Sequence, residues 1–326
     1  MRAITFVQPG DESVLVLGDA PSPALGPGQI RIAVTGTAVN RADLLQRRGF
    51  YPPPPGASPI LGLECAGTVA ELGDGVRGFA KGDRVMALLP GGGYAEEAVV
   101  DAGSVLKVPA ALSDEEAAGF METYLTAFLN IFVLGGVSRG ATVLVHGGGS
   151  GVGTSAVSLC KEAGVRIIVT AGGPEKTARC LAQGADVAID YKAGEFAPKV
   201  LEATGKKGVA MVLDSIGAPY LAQNLASLAT DGRLVLIGLM GGSKTDIDLS
   251  KLMQKRVHVI GSTLRARPVA DKADVVRRFR EQFGAALEAG RLKPVVHTVL
   301  PLARAADAHR LVLSSAHFGK VVLKVR

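Results

Sequence analysis

The residues of this chain with the clearest chemical potential lie in TVLVHGGGSGVGTSAVSLCKEAG, residues 142–164. An aliphatic run leads into a glycine-rich turn and then into a stretch of helical composition. Glycines let bare backbone approach a pyrophosphate, and the N-terminus of the following helix offers unpaired N–H groups and a positive dipole end. Counted back from Gly153, the pattern is Gly148, Ser150, Gly153, with serine in the middle place; a second register reads Gly151-x-Gly153-x-x-Ala156. In either register the backbone of 147–153, including Gly148, Ser150, Gly151, Val152 and Gly153, is the candidate phosphate cradle, because strand, turn and helix follow in the order such a motif needs.

The next aliphatic run bears on which dinucleotide is held. An acid at its end would bind a ribose 2′-hydroxyl, whereas an uncharged end with cations nearby suits a 2′-phosphate. Here the run ends in Thr170, Ala171, Gly172 and Gly173, and Lys176 and Arg179 follow. This favours NADP(H); Glu175 opposes it if it turns inward. A methyltransferase also places a glycine-rich turn after a strand, but the missing acid counts against that class too.

Turns of this kind need a sheet beneath them. Aliphatic runs at 141–147, 166–172, 185–191, 209–217, 232–239 and 258–264 alternate with segments of helical composition at 152–163, 174–183, 195–204 and 218–229. Continuous apolar strands alternating with helices predict a doubly wound parallel sheet, an α/β fold. The first 120 residues differ: short strand candidates at 2–7, 29–36, 67–72, 83–89 and 97–100 are divided by turns and by the Pro-rich loops 21–29 and 51–59. A helical stretch over 113–132 opens on a Ser113-x-x-Glu116 capping box. One amphipathic helix is expected over 271–289, then strands at 295–301 and 320–326. The expected organisation is a β-rich domain at 1–120, a doubly wound domain at 121–264 and a return segment at 265–326.

Composition narrows the classes. The 326 residues are 48% hydrophobic and 20% charged, as in globular proteins. The 42 glycines exceed the usual ~7% but follow no three-residue period, which excludes collagen-like chains. No apolar run reaches the ~18 residues of a membrane helix, and the opening MRAITFVQPG is not a secretory leader, so a cytoplasmic location is expected. The net charge of +6 is dispersed, with its densest basic cluster at 277–280, which argues against a nucleic-acid partner. Cys65, Cys160 and Cys180 are widely spaced and the five histidines show no metal-ligand spacing, so no metal site and a reducing compartment are expected.

Three ordered stretches carry a resemblance: Asn40-Arg-Ala-Asp43-Leu-Leu-Gln, then Gly49-Phe-Tyr51 with its four prolines, then Leu61-Gly-Leu-Glu64-Cys-Ala-Gly67. With MALLPGGG (86–93), SGVGT (150–154), VTAG (169–172) and GLMGG (238–242), they span essentially the whole chain. The sequence resembles the quinone oxidoreductase (zeta-crystallin) branch of the medium-chain dehydrogenase/reductases, and within it the stress-inducible NADPH quinone oxidoreductases. The resemblance implies a GroES-like β-rich catalytic domain, a Rossmann coenzyme domain, an active site in the cleft between them, and a homodimer or homotetramer. It also implies that Asn40, Asp43 and Tyr51 line the catalytic cleft, with Tyr51 and Thr126 on the nicotinamide side. Ser150, Gly151, Val152 and Gly153 would hold the pyrophosphate, Gly172 and Lys176 the 2′-phosphate, and Tyr191 the adenosine half. Gly238, Leu239, Thr263 and Leu264 would lie near the nicotinamide. Many members have a serine after VTAG; this chain has Gly173.

Departures from the zinc alcohol dehydrogenases are chemical. Asn40 stands at a ligand cysteine's place and Leu63 at a ligand histidine's, and no four-cysteine lobe lies between 90 and 104. Zinc needs sulfur, nitrogen or oxygen ligands in tetrahedral array, and leucine is none. Cys65 reads as a packing cysteine. Without a Lewis acid, an easily reduced quinone is the expected acceptor, with catalysis mainly by positioning. A reductase of conjugated C=C bonds is the alternative, with Tyr51 as its evident proton donor. A non-catalytic crystallin-like or RNA-binding role is a minor third.

Overall fold

The structure, a computed structural model, describes residues Met1–Arg326 and divides into two compact units, Met1–Leu125 with Leu264–Arg326, and Thr126–Thr263. The first unit opens with β1 (Arg2–Thr5), β2 (Val16–Asp19), β3 (Gln29–Ala38), α1 (Arg41–Arg47), β4 (Glu64–Leu72), β5 (Arg84–Leu88), β6 (Glu97–Asp101), β7 (Val105–Lys107) and α2 (Asp114–Ala118). The unit boundary falls inside α3 (Met121–Phe128). The second unit holds β8 (Thr142–His146), α4 (Gly151–Ala163), β9 (Arg166–Ala171), α5 (Pro174–Gln183), β10 (Val187–Asp190), α6 (Ala197–Ala203), β11 (Val209–Asp214), α7 (Leu221–Ser227), β12 (Leu228–Leu236), α8 (Leu249–Lys255) and β13 (His258–Gly261). The chain then returns to the first unit through α9 (Val269–Glu288), β14 (Val296–Pro301), α10 (Ala305–Ser314) and β15 (Lys320–Lys324).

In the first unit, β3 alternates in burial along its length, as a strand with one face on a core must. Its inward residues Ile30, Ile32 and Val34 pack with Cys65, Val69, Val85 and Val100. The sheet runs β14-β15-β3-β4-β5-β7, with β6 also paired to β3. The return segment thus adds β15 antiparallel to β3 (Val322 opposite Ala38), some 280 residues after β3 was laid down. Cys65 is fully buried, and burial pushes its thiol up, consistent with a packing role.

The expected helical stretch over 113–132 is present but broken: α2 ends on Gly119, α3 starts at Met121, and a π-helical turn occupies Leu129–Leu134. The capping box is present, with Ser113 Oγ accepting from Glu116 N at 3.2 Å and Glu116 Oε2 accepting from Ser113 N at 2.8 Å. The break restarts a helix at Met121, so its first-turn N–H groups are open to an acceptor from elsewhere. β2 and β7, at four and three residues, are too short to show alternation in sequence.

The second unit is the expected doubly wound sheet, six parallel strands in the order β10-β9-β8-β11-β12-β13. β8 leads outward through β9 to β10, and β11 leads the other way to β13. The order therefore reverses between β8 and β11, and ligands of such sheets bind outside the strand C-termini at that switch point. Leu144, Ile168, Val212 and Leu234 pack with Phe196, Val200 and Leu225 from the helices. No helix is long and apolar enough to cross a membrane. Leu144 is 0% exposed at the centre of this core. Leu144→Ala is expected to cost ~2–5 kcal/mol, read as a lower urea midpoint with an unchanged slope.

Candidate functional site

The turn after β8 is a bare-backbone cradle. Gly147 takes φ 71°, and Ser150 caps α4, its Oγ accepting from Gly153 N at 3.0 Å. That explains the serine where the motif's middle glycine was expected: the place is a helix N-cap, which favours serine. A Cβ on Gly153 would clash with the Gly147 carbonyl oxygen, so this position tolerates only glycine without a shift of the turn. The first-turn N–H groups of Gly151 and Val152 have no acceptor within the helix and are available to an anion.

A buried chain of side chains fixes the cradle's base. Asn224 Nδ2 donates to Asp214 Oδ2 at 2.9 Å, which leaves its Oδ1 to accept from His146 Nε2 at 2.7 Å. His146 Nδ1 then accepts from Thr170 Oγ1 at 2.9 Å. Burial lowers the His146 pKa to about 4, so the ring is a neutral connector between β8, β9 and α7.

At the end of β9 the backbone N–H of Gly173 donates to Asp190 Oδ1 at 2.9 Å, and so does that of Lys192. These two bonds hold the Asp190 carboxyl below its usual range. The nearest acid, supplied by β10, is thus tied to backbone rather than turned to a ribose. Glu175 is exposed, whereas Lys176 is half-buried; burial, then the charges of Lys192 and Arg179, lower the Lys176 pKa. A Cβ on Gly172 would meet Tyr191 Oη at 2.7 Å and Lys192 Cε at 3.2 Å, so both side chains lie against bare backbone. Lys192 was not anticipated; it follows Tyr191 in an exposed turn, and only the pairing of β10 with β9 brings it to Gly172. Of the other expected cofactor residues, Thr126 lies in α3, Gly238 and the 54%-exposed Leu239 follow β12, and Thr263 follows β13. Leu264 is 6% exposed and belongs to the first unit.

In the first unit, Asn40, Asp43 and Tyr51 meet different fates. Asp43 is 0% exposed: its carboxylate accepts from Asn40 N (2.8 Å), Gly62 N (3.0 Å) and Tyr94 Oη (3.4 Å). Behind Tyr94 stands His309, whose Nδ1 accepts from Arg47 Nη1 at 3.2 Å, leaving Nε2–H to donate to Tyr94 Oη at 3.1 Å. Burial raises the Asp43 pKa to about 6 against the opposing bonds from Asn40 and Gly62. Through these bonds Asp43 ties α1 to the loop before β4.

The Asn40 amide donates to Glu64 Oε1 at 2.9 Å and accepts from Lys320 Nζ at 2.7 Å. Lys320 and Glu64 form an ion pair at 2.8 Å with side chains 3% and 0% exposed. Glu64 Oε2 accepts from Glu122 N at 3.0 Å, filling the opening left by the helix break. Tyr51 is held by Arg265, whose guanidinium lies 5.3 Å from its ring centroid and donates to Tyr51 O (3.3 Å), Pro90 O (2.7 Å) and Gln46 Oε1 (2.7 Å). Burial, then Glu122, raises the pKa of the Tyr51 phenol.

Comparison with known proteins gives two family matches. A family described as alcohol dehydrogenase GroES-like domain matches residues 26–110, and one described as zinc-binding dehydrogenase matches 151–281. A rat quinone oxidoreductase is 31% identical over 99% of this chain and 97% of its own length. The chain belongs to the medium-chain dehydrogenase/reductase superfamily. A mycobacterial structure complexed with NADPH superposes with a TM-score of 0.89 at 32% identity, covering both chains fully. A Mycobacterium tuberculosis phenolphthiocerol/phthiocerol polyketide synthase subunit is 33% identical over 91% of this chain, which spans only 14% of that protein.

In this medium-chain dehydrogenase/reductase the GroES-like unit depends on one buried ion pair. Breaking such a pair leaves an uncompensated charge, at a cost of ~3–5 kcal/mol. Lys320→Met is expected to lose that much stability, and Lys320→Met with Glu64→Gln to recover part of it, both measured by urea unfolding.

Proposed function

We propose that the chain is an NADPH-dependent quinone reductase that works without zinc. The single observation that carries the cofactor reading is the end of β9, where bare Gly172 lies beneath Tyr191 and Lys192, Lys176 stands alongside, and Asp190 is tied to backbone. The relatives named as a quinone oxidoreductase and as complexed with NADPH support it. The N–H groups of Gly151 and Val152 bind the pyrophosphate, Lys176 and Lys192 the 2′-phosphate, and Tyr191 the adenosine half. NADPH, when bound, supplies the hydride. Tyr51 and Asn40 orient the acceptor: the Tyr51 hydroxyl donates to its oxygen, and the Asn40 amide, fixed by Glu64 and Lys320, holds its place without ligating a metal. Leu63, at the other expected ligand place, is 1% exposed and offers no donor atom.

The likeness to a polyketide synthase supports a second reading, reduction of a C=C bond conjugated to a carbonyl. NADPH oxidation followed with 1,4-benzoquinone, phenanthrenequinone and a simple enone separates the two. Turnover is expected with the quinones and should survive a chelator; turnover with the enone alone would sink the first reading. A charge-assisted hydrogen bond contributes ~1.5–3 kcal/mol, so Lys176→Ala and Lys192→Ala should each weaken NADPH binding roughly 10-fold or more. NADH affinity should stay unchanged, as read by fluorescence titration.

The proposed assembly is a homodimer formed through β13. This strand ends the six-stranded sheet with one edge unpaired, and Val259 on it is 43% exposed. Leu249 and Met253 of α8, which packs on β12, are 62% and 78% exposed. An open edge beside apolar surface invites strand pairing. Light scattering should give twice the chain mass for the wild type and a monomer for Val259→Lys; a monomeric wild type would remove the proposal.

A further inference from the structure

We propose that Glu122 is the proton donor of this reductase, a catalytic acid that gives its carboxyl proton to the carbonyl oxygen of the acceptor. The inference deepens the reading of the chain as an NADPH-dependent reductase of conjugated carbonyls and rests on it. Its basis is which polar ends remain open. Around Glu122 stand Glu64 from β4, Lys320 from β15, Asp43 from α1, Arg265 and Lys272 from the return segment, and Tyr51 from the Pro-rich loop. Glu64 accepts from Asn40, Lys320 and Glu122 N, and Asp43 from two backbone N–H groups and Tyr94. Lys320 also donates to Asn40 Oδ1 and Val39 O; Arg265 is bonded to Pro90, Tyr51 and Gln46; Lys272 Nζ donates to Arg265 O at 3.2 Å.

Only the Glu122 carboxyl and the Tyr51 hydroxyl of this group make no hydrogen bond within the chain, and both residues are half-buried. The Glu122 main chain, by contrast, is anchored to Glu64 at 3.0 Å, which fixes where the carboxyl starts. Burial first and the Glu64 charge second raise its pKa to about 8, with Lys320 and Arg265 opposing, so the acid carries its proton at pH 7. Tyr51 is the weaker acid of the two, because burial and Glu122 raise a phenol that already ionises near pH 10. A donor whose pKa lies near the working pH transfers its proton more readily.

The step balances. The acceptor takes a hydride, two electrons and one hydrogen nucleus, from NADPH, and negative charge develops on its oxygen. The Glu122 O–H bond breaks, its electron pair stays on the carboxylate, and an O–H bond forms on the acceptor. Solvent returns the proton to Glu122 between turnovers, so one NADPH and one proton are consumed per acceptor reduced.

The test combines kinetics with a direct reading of the proton. Wild-type kcat with 1,4-benzoquinone and with cyclohexenone is expected to fall above pH 8, where Glu122 ionises. Glu122→Gln should lower kcat at least 10-fold and lose that alkaline limb, while Glu122→Asp keeps both the limb and part of the rate. Infrared difference spectra of the unloaded protein should show a protonated carboxyl at pH 7 that titrates near pH 8 and is missing from Glu122→Gln. Because the folded pKa is raised from 4.5 to about 8, the unfolded chain loses this proton while the fold retains it, so the Tm of Glu122→Gln minus that of the wild type should grow from pH 5 to about pH 8 and then level off. A wild-type pH profile in Glu122→Gln, or a Glu122 already ionised at pH 7, overturns the inference while leaving the reductase reading intact. Absence of NADPH oxidation with every acceptor overturns both.

Discussion

The ion pair between Glu64 and Lys320 is the constraint on which the GroES-like unit turns. At 2.8 Å, with neither side chain more than 3% exposed, each charge is tolerable only because the other is present and the remaining polar valences are filled. Filling them dictates the surroundings. Asn40 must bridge the two, which fixes the start of α1; Glu122 N must reach Glu64, which requires the helix break at Gly119. Lys320 must arrive from β15, so the first unit is incomplete until the chain has built the coenzyme unit and come back. A single buried charge pair thereby couples four elements and both ends of the sequence.

What was legible in the sequence follows from how local its causes are. The phosphate turn could be read because strand, glycines, Ser150 and helix are contiguous within about 20 residues, the whole of a βα turn. Even its apparent defect, serine for glycine, has a local cause in the N-cap bond to Gly153. The aliphatic strands at 141–147 and 166–172 were legible because burial on both faces forces continuous apolar runs. Asp43 was half legible: its spacing from Asn40 fits a capping box, but its withdrawal from solvent depends on Tyr94 and His309, 51 and 266 residues away.

Lys192, Arg265, Lys320 and Glu122 carried no such signal. Each acquires its meaning from a partner distant in sequence, as with Lys320 and Asn40, 280 residues apart. Arg265 has no motif around it, yet it clamps the loop that carries Tyr51 through Tyr51 O, Pro90 O and Gln46. A lysine, an arginine or a glutamate in a linear sequence is by default a solvated surface charge. Only the pairing of β15 with β3 moves Lys320 out of that class.

The arrangement of charge in this cluster also decides which acid keeps its proton. Three carboxyls, Asp43, Glu64 and Glu122, share one direct cation, Lys320, since Arg265 gives all its hydrogen bonds to neutral acceptors. Glu64 takes the lysine, the Asn40 amide and a backbone N–H. Asp43 takes two backbone N–H groups and a phenol, and its pKa stops at about 6. Glu122 receives none of these, and burial first and the Glu64 charge second raise its pKa to about 8. The anion fixed at Glu64 to hold the fold together is thus part of what keeps the neighbouring acid neutral. Stabilising the scaffold and poising a proton donor are two consequences of the same buried charge.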